Sequence, residues 1–180
     1  NHPTKECTCA PGAVTKYLNR ISGPLLDRID LQVEILPVPI EELSKAPDGE
    51  KSADIRARVV KARNIQLERY KNESGIHCNA QMNSRLLQRY ATLDDASMTQ
   101  LRRAMGMFDM SARAYDRILK VARTIADLDY AAKLPSADSP GYQAALAAAA
   151  TAPIRAEHVS EAISYRNLDR SSWGSNYTGF

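Results

Sequence analysis

Two cysteines one residue apart, Cys7-Thr8-Cys9, and an arginine set between acids, Asp27-Arg28-Ile29-Asp30, are the first places in this 180-residue chain where residue type and spacing suggest chemistry. Two thiolates at C-x-C spacing can supply two of the four ligands of a tetrahedral zinc ion. The remaining two would come from His2, His77 or Cys78, or from outside the chain; without them the pair is two ordinary loop thiols. Arg28 has two readings as well: a local ion pair with Asp27 or Asp30, or a cation that reaches out of the fold from the entrance of a strand. Further along, Arg113, Arg117, Lys120 and Arg123 lie roughly along one helical face. Such a face is either simply solvated or lines a channel that tracks a phosphate backbone.

Other chemistries are missing from the sequence. His2, His77 and His158 are scattered without partners, so no Ser-His-Asp constellation forms. A phosphate-binding loop needs G-x-x-x-x-G-K-[ST]; the nearest stretch, Pro47 to Ser52 (PDGEKS), lacks the leading glycine and the Gly-Lys pair. The chain alone is therefore expected to catalyse nothing. Aromatic residues are few, at 6%, and no stacking platform for single-stranded nucleic acid is evident.

The elements that position these residues follow from periodicity. A short helix is expected over 13–21, opened by Pro11-Gly12 and ended or turned by Gly23-Pro24. Ile29, Leu31, Val33 and Ile35 alternate with Asp30, Gln32 and Glu34, which predicts a strand over 28–36 with one apolar face. One strand cannot make a sheet, so its partners are expected upstream. Residues 37–52, rich in proline and acid, read as a linker. Beyond them the pattern is helical: about 52–72 with Ser52 as cap, 84–91, 93–106, then a long helix capped by Ser111. That helix carries the stripe Ala112, Tyr115, Ile118, Leu119, Ala122, Ile125 and Ala126,. On the 52–72 helix Ile55, Val59, Ala62 and Ile65 form one side, with Arg56, Arg58, Lys61, Arg63, Arg69 and Lys71 around the rest. An alanine-rich helix within 143–152 is expected to be short and mobile, and a last helix spans about 155–165.

The chain is 44% hydrophobic with a net charge of +3, which fits a globular protein and does not by itself argue for nucleic acid. Three cysteines cannot build a disulfide framework and suit a reducing, cytoplasmic setting. No apolar run of about 18 residues exists to cross a membrane. The opening NHPTKECTC, without an initiator methionine, reads as the start of a piece of a longer protein.

Three stretches, LNRISGPLLDRIDLQVEI (18–35), SARAYDRILKVARTIADLD (111–129) and EHVSEAISYRNLDR (157–170), closely resemble the magnesium-chelatase-like family of AAA+ ATPases, in particular its bacterial competence-protein branch. The resemblance implies a mainly α fold. Residues 1–36 would be the C-terminal end of an AAA+ α/β core with one short strand, 37–52 a linker, 53–170 a helical lid and 171–180 a loose tail. It implies that Arg28, in LLDR, is an arginine finger pointing at the ATP of a neighbouring subunit. Arg113 would be sensor 2, with Arg117 one turn on as its backup. The family pattern of an upstream C-x-C-G plus C-x-C would make Cys7 and Cys9 half of a zinc site. The parent would be a ring, a hexamer, using ATP and Mg2+, with neighbouring subunits and DNA as partners and no membrane. For the competence branch the work implied is DNA helicase or branch migration during natural transformation. The alternatives are a motor for metal insertion into a porphyrin, and a helical bundle that only docks on a partner. The stretch from Tyr130 to Pro153 is longer than the family's usual link.

Overall fold

The computed structural model describes residues 8–10, 12–33, 35, 38, 49–108 and 110–166. The chain divides into two compact units, residues 1–49 with 165–180, and residues 50–164.

In the first unit α1 spans Ala13–Leu18 behind Gly12, whose φ of 81° suits a residue without a Cβ,. Then α2 spans Gly23–Leu26 with proline in its first turn, where a missing N–H costs nothing. The helix closes into a turn at Asp27-Arg28, with Arg28 N–H donating to the Leu25 carbonyl (3.0 Å). The predicted strand over 28–36 is not formed: among its described residues no ladder is present, and Ile29, Leu31, Val33 and Ile35 are exposed. A strand exists only as one member of a pair. Here the segment's backbone meets the other end of the unit instead, Gln32 N–H donating to the Tyr165 carbonyl (2.8 Å).

The second unit is a helical bundle, and the mainly helical expectation holds. It contains α3 (Ser52–Arg69), a 3₁₀ turn (Asn79–Gln81), α4 (Ser84–Tyr90), α5 (Asp95–Met107), α6 (Ala112–Ala132), α7 (Tyr142–Thr151) and α8 (Ala156–Ser164). Three helix starts carry side-chain caps: Asn83 accepts from Leu86 N–H, Asp94 from Ser97 N–H and Ser111 from Ala114 N–H, each satisfying an orphan donor of the first turn. Ser52, expected as a cap, is the first helical residue, and Lys51 stands at the cap position without a side-chain bond.

The central helix is α6, which packs against α3, α4, α7, α8 and the 3₁₀ turn. Its stripe is buried at Ile118, Leu119, Ala122 and Ala126, in one apolar cluster with Leu86, Leu101 and Val159, and half-buried at Tyr115 and Ile125, but in the first turn Ala112 is exposed and Ala114 takes the inward place. A second cluster joins Ala62 and Ile65 of α3 to Tyr142, Leu146 and Ala149 of α7. Each fully buried Leu or Ile contributes about 1.5–3 kcal/mol. Two expectations fail here. On α3 only the C-terminal half of the apolar side is covered; Ile55 and Val59 are exposed. And the alanine-rich helix is not a loose element: Tyr142, Leu146 and Ala149, at spacing i, i+4, i+7, are buried against α3 and the end of α6.

The linker 37–52 falls largely outside the described residues and its last residue belongs to α3; the tail 171–180 lies wholly outside them.

Candidate functional site

Arg28 stands two residues past the end of α2, exposed, with Nη1 donating to the Pro24 carbonyl (2.7 Å). The neighbouring Asp27 carboxylate lies 4.0 Å from Arg166 Nη2. The short helix therefore presents a guanidinium at its end while the acid beside it faces another cation. Arg113 is exposed in the first turn of α6, and Arg117, one turn on, is half-buried; the two share a helix face. A cation in the first turn opposes the helix macrodipole, so local helix energetics do not account for Arg113. Arg28 belongs to the first unit, and Arg113 and Arg117 to the second. Beside the start of α6 lies an open groove of about 350 Å³ whose lining includes Ser84, Leu87, Met98, Tyr115 and Asp116. Among its lining residues none is basic and one is acidic, which does not suit a phosphate.

The basic-face reading fails at two positions. Arg69 of α3 and Arg123 of α6 are buried, at 6% and 2% exposure, around a fully buried Asp127. Arg69 meets Asp127 through both terminal nitrogens (2.7 and 2.5 Å), and Arg123 Nε reaches the same carboxylate at 3.1 Å. Asn79 uses its whole amide: Nδ2 donates to Asp127 (2.8 Å) and Thr124 (3.0 Å), and Oδ1 accepts from Arg69 (3.1 Å) and the Tyr70 hydroxyl (2.7 Å). Burial opposes the charge of Arg69, but the Asp127 hydrogen bond and field outweigh it and its pKa is raised. For Arg123 burial wins over Asp127 and the pKa is lowered. Burial pushes the Tyr70 phenol up to about 12. The excess positive charge is met by backbone: Arg69 Nε donates to the Ala150 carbonyl (2.8 Å) and Arg123 Nη1 to the Ala152 carbonyl (2.6 Å). This network is a structural device. No sequence signal announced it except an i, i+4 Arg123–Asp127 pair, which usually marks a solvated helix face.

Among the described residues one group of three potential metal ligands occurs, Asp129, Glu157 and His158, with ligand atoms within 4.8 Å of one another. Its donor set does not fit a cation. His158 Nδ1 accepts the Arg155 N–H (3.0 Å), so in the neutral ring the proton sits on Nε2, the nitrogen that faces the two carboxylates at 3.6 and 3.9 Å,. A protonated Nε2 has no lone pair for a metal. Lys133 already occupies Asp129 (2.8 Å) and holds its carboxyl below the usual range, while Arg155 bonds Glu157 (3.3 Å). Burial also lowers the pKa of His158, against the pull of Asp129 and Glu157.

Of the cysteine candidates, Cys7 and His2 lie outside the described residues and Cys9 is exposed. The backbone N–H groups of His77 and Cys78 both donate to Gln81 Oε1 (2.7 and 3.2 Å), and the Cys78 thiol takes part in the same capping of the 3₁₀ turn.

Comparison with known proteins places these features in context. Residues 49–138 match the family model described as magnesium chelatase, subunit ChlI C-terminal, and residues 1–43 match magnesium chelatase, subunit ChlI. The chain is 44% identical over 120 residues to the competence protein ComM of Haemophilus influenzae, covering 66% of this chain and 23% of that protein. It is 37% identical over 163 residues to the uncharacterized protein YifB of Salmonella typhimurium, and 36% identical over 163 residues to YifB of Escherichia coli, covering 90% of this chain and 27% of each relative. The chain thus spans about a quarter of the length of the curated relatives it matches.

Proposed function

Because this chain belongs to the magnesium chelatase ChlI family, we propose that it is the C-terminal part, lid included, of a ring-forming AAA+ ATPase that works on DNA in the manner of a competence protein. The observation that carries the reading is the similarity to a relative named competence protein, at 44% identity over 120 residues. In this reading residues 1–36 close the ATPase core, residues 53–170 form the lid, and the ring is a hexamer acting in the cytoplasm with ATP and Mg2+. Among the described residues no helix is long and apolar enough to cross a membrane. The proposed work is DNA helicase or branch-migration activity in natural transformation. Exposed Arg56, Lys61 and Arg63 on α3 offer cations for phosphate contacts, which would make binding weaken steeply with salt.

Arg28 is the proposed arginine finger. Phosphoryl transfer spreads negative charge over the γ-phosphate oxygens, and a guanidinium supplied in trans accelerates it by about 10³–10⁵. An exposed arginine at the tip of a short helix, held by a single carbonyl, has the reach for this and is permanently charged,. Arg113, exposed at the N-terminal end of α6, is the proposed sensor that touches the nucleotide of its own subunit, with Arg117 as the alternative. The Mg2+ and ATP would be held by residues outside this chain.

The test is turnover in rings that mix wild-type and Arg28→Ala subunits of the full-length protein. A fall steeper than the mutant fraction, partly restored by subunits that cannot bind nucleotide but carry an intact finger, supports action across the interface. Turnover unchanged at every ratio removes Arg28 from the mechanism. A second reading, a motor for metal insertion, is favoured by the names of both matching families; DNA-stimulated turnover of the full ring would count against it.

A further inference from the structure

The two carbonyls on either side of Arg28 in the chain are gathered by one distant side chain. Arg166 Nη1 donates to the Ile29 carbonyl at 2.5 Å and Nη2 to the Asp27 carbonyl at 3.4 Å, with the Asp27 carboxylate 4.0 Å from the same nitrogen. The Arg166 side chain is 4% exposed, in contrast to Arg28, which is open to solvent. The residue before it adds a third point of attachment, the Tyr165 carbonyl accepting from Gln32 N–H (2.8 Å), and Gln32 Nε2 turns back to the Leu26 carbonyl (3.3 Å). The backbone of segment 26–32 is therefore pinned before, beside and after Arg28, while the Arg28 side chain stays exposed, donating to the Pro24 carbonyl of the short helix before it.

We propose that Arg166 is a positioning residue for Arg28: it fixes the backbone from which the finger projects, and so sets turnover in the neighbouring subunit without touching nucleotide. This rests on the reading of Arg28 as a finger. The chemistry suits arginine in particular. Two carbonyls more than one residue apart need two donors at fixed separation, which the planar guanidinium fork supplies and the single ammonium of lysine does not. Charge-assisted bonds to carbonyl oxygens are about twice as strong as neutral ones. Precision matters here because displacement of a catalytic group by about 1 Å can lower a rate about 10²-fold.

The experiment compares Arg28→Ala, Arg166→Ala, Arg166→Lys and the Arg28→Ala/Arg166→Ala double variant in the full-length ring, with ring assembly checked by sedimentation. Arg166→Ala is expected to lower kcat about 10²-fold with KM for ATP unchanged, because a subunit's own nucleotide site is intact. Arg166→Lys should fall between it and wild type. The double variant should match Arg28→Ala alone, since a positioning residue has nothing left to position. In mixed rings the Arg166→Ala defect should appear in the neighbour, as the Arg28→Ala defect does. If Arg28→Ala leaves turnover intact, the finger reading fails and the proposal goes with it. If Arg28→Ala abolishes turnover and Arg166→Ala does not lower it, the proposal alone is overturned. It is overturned also if the double variant loses more than Arg28→Ala does. Should Arg166→Ala rings fail to assemble, Arg166→Lys decides: wild-type kcat in its assembled rings overturns the proposal, and a reduced kcat at constant KM supports it.

Discussion

Arg69 and Asp127, 58 residues apart in sequence, face each other as a two-pronged ion pair with side chains 1% and 0% exposed. Removing the acid would leave two buried guanidinium groups, Arg69 and Arg123, without their counter-charge. Breaking a buried pair from one side costs about 3–5 kcal/mol. Asp127→Ala should lower chain stability by that amount in urea denaturation. Asn79→Asp, nearly isosteric, should also destabilise, because the amide nitrogen that donates to Asp127 at 2.8 Å becomes an oxygen facing an oxygen.

Tyr70 gives the same network an alkaline limit. Its folded pKa, raised by burial to about 12 from 10.0, means the neutral phenol is favoured by folding. That contribution is complete below pH 10 and is lost as pH rises toward about 12. Stability followed by denaturant titration across this window should fall, and Tyr70→Phe should flatten that fall while losing the hydrogen bond to Asn79.

His158 sets an acid limit by a different route. It is the third residue of α8, and its Nδ1 accepts the N–H of Arg155, the reciprocal half of a capping box. Protonation turns that acceptor into a donor. The charged groups facing it are Asp129 and Arg123 of α6 and Arg155 and Glu157 of its own segment, with Tyr130 stacked edge-on and Lys133 on Asp129. Burial outweighs the two acids and the folded pKa lies below the ordinary 6.5. The contribution to stability is therefore full above about pH 6.5 and is lost as pH falls through the folded value. His158→Gln keeps an acceptor for the cap and removes the titration. Its stability between pH 7.5 and 5 should vary less than the wild type's; an identical pH profile would count against the assignment.

Arg113 separates function from fold. It is exposed in the first turn of α6, so Arg113→Ala should change stability by no more than about 0.5 kcal/mol. If it senses nucleotide, the same substitution should lower turnover of the full-length ring or raise KM for ATP. Circular dichroism melts and ATPase assays on one preparation check both halves.

What the sequence disclosed, and what it hid, follows the physics of each element. The stripe on α6 was legible because Ile118, Leu119, Ala122 and Ala126 repeat at the helical period, and a helix is a property of one segment. The strand over 28–36 was misread because alternation belongs to a segment whereas a strand belongs to a pair. The burial of Arg69 and Arg123 was hidden because their charge reads as solvent-facing. Asp127 is one turn from Arg123 on the same helix, but only the fold brings Arg69, Asn79 and the end of α7 to that pair. Alanine-rich α7 gave little periodic contrast, yet Leu146 is 7% exposed; Leu146→Ala should cost about 2–5 kcal/mol. Of the candidate site, Arg28 could be singled out from its neighbours, but the clamp around it could not, since Arg166 lies 137 residues from Ile29.

The carbonyls of Ala150 and Ala152, at and just past the end of α7, take one donor each from Arg69 and Arg123. A helix end carries a partial negative charge, so this stretch is a counter-ion made of backbone. Residues 142–151 lie beyond the 49–138 family match and look like tolerable length variation. Yet trimming them to a shorter link would take these two acceptors away from Arg69 and Arg123, so the link's length is tied to the charge it answers in the centre of the bundle.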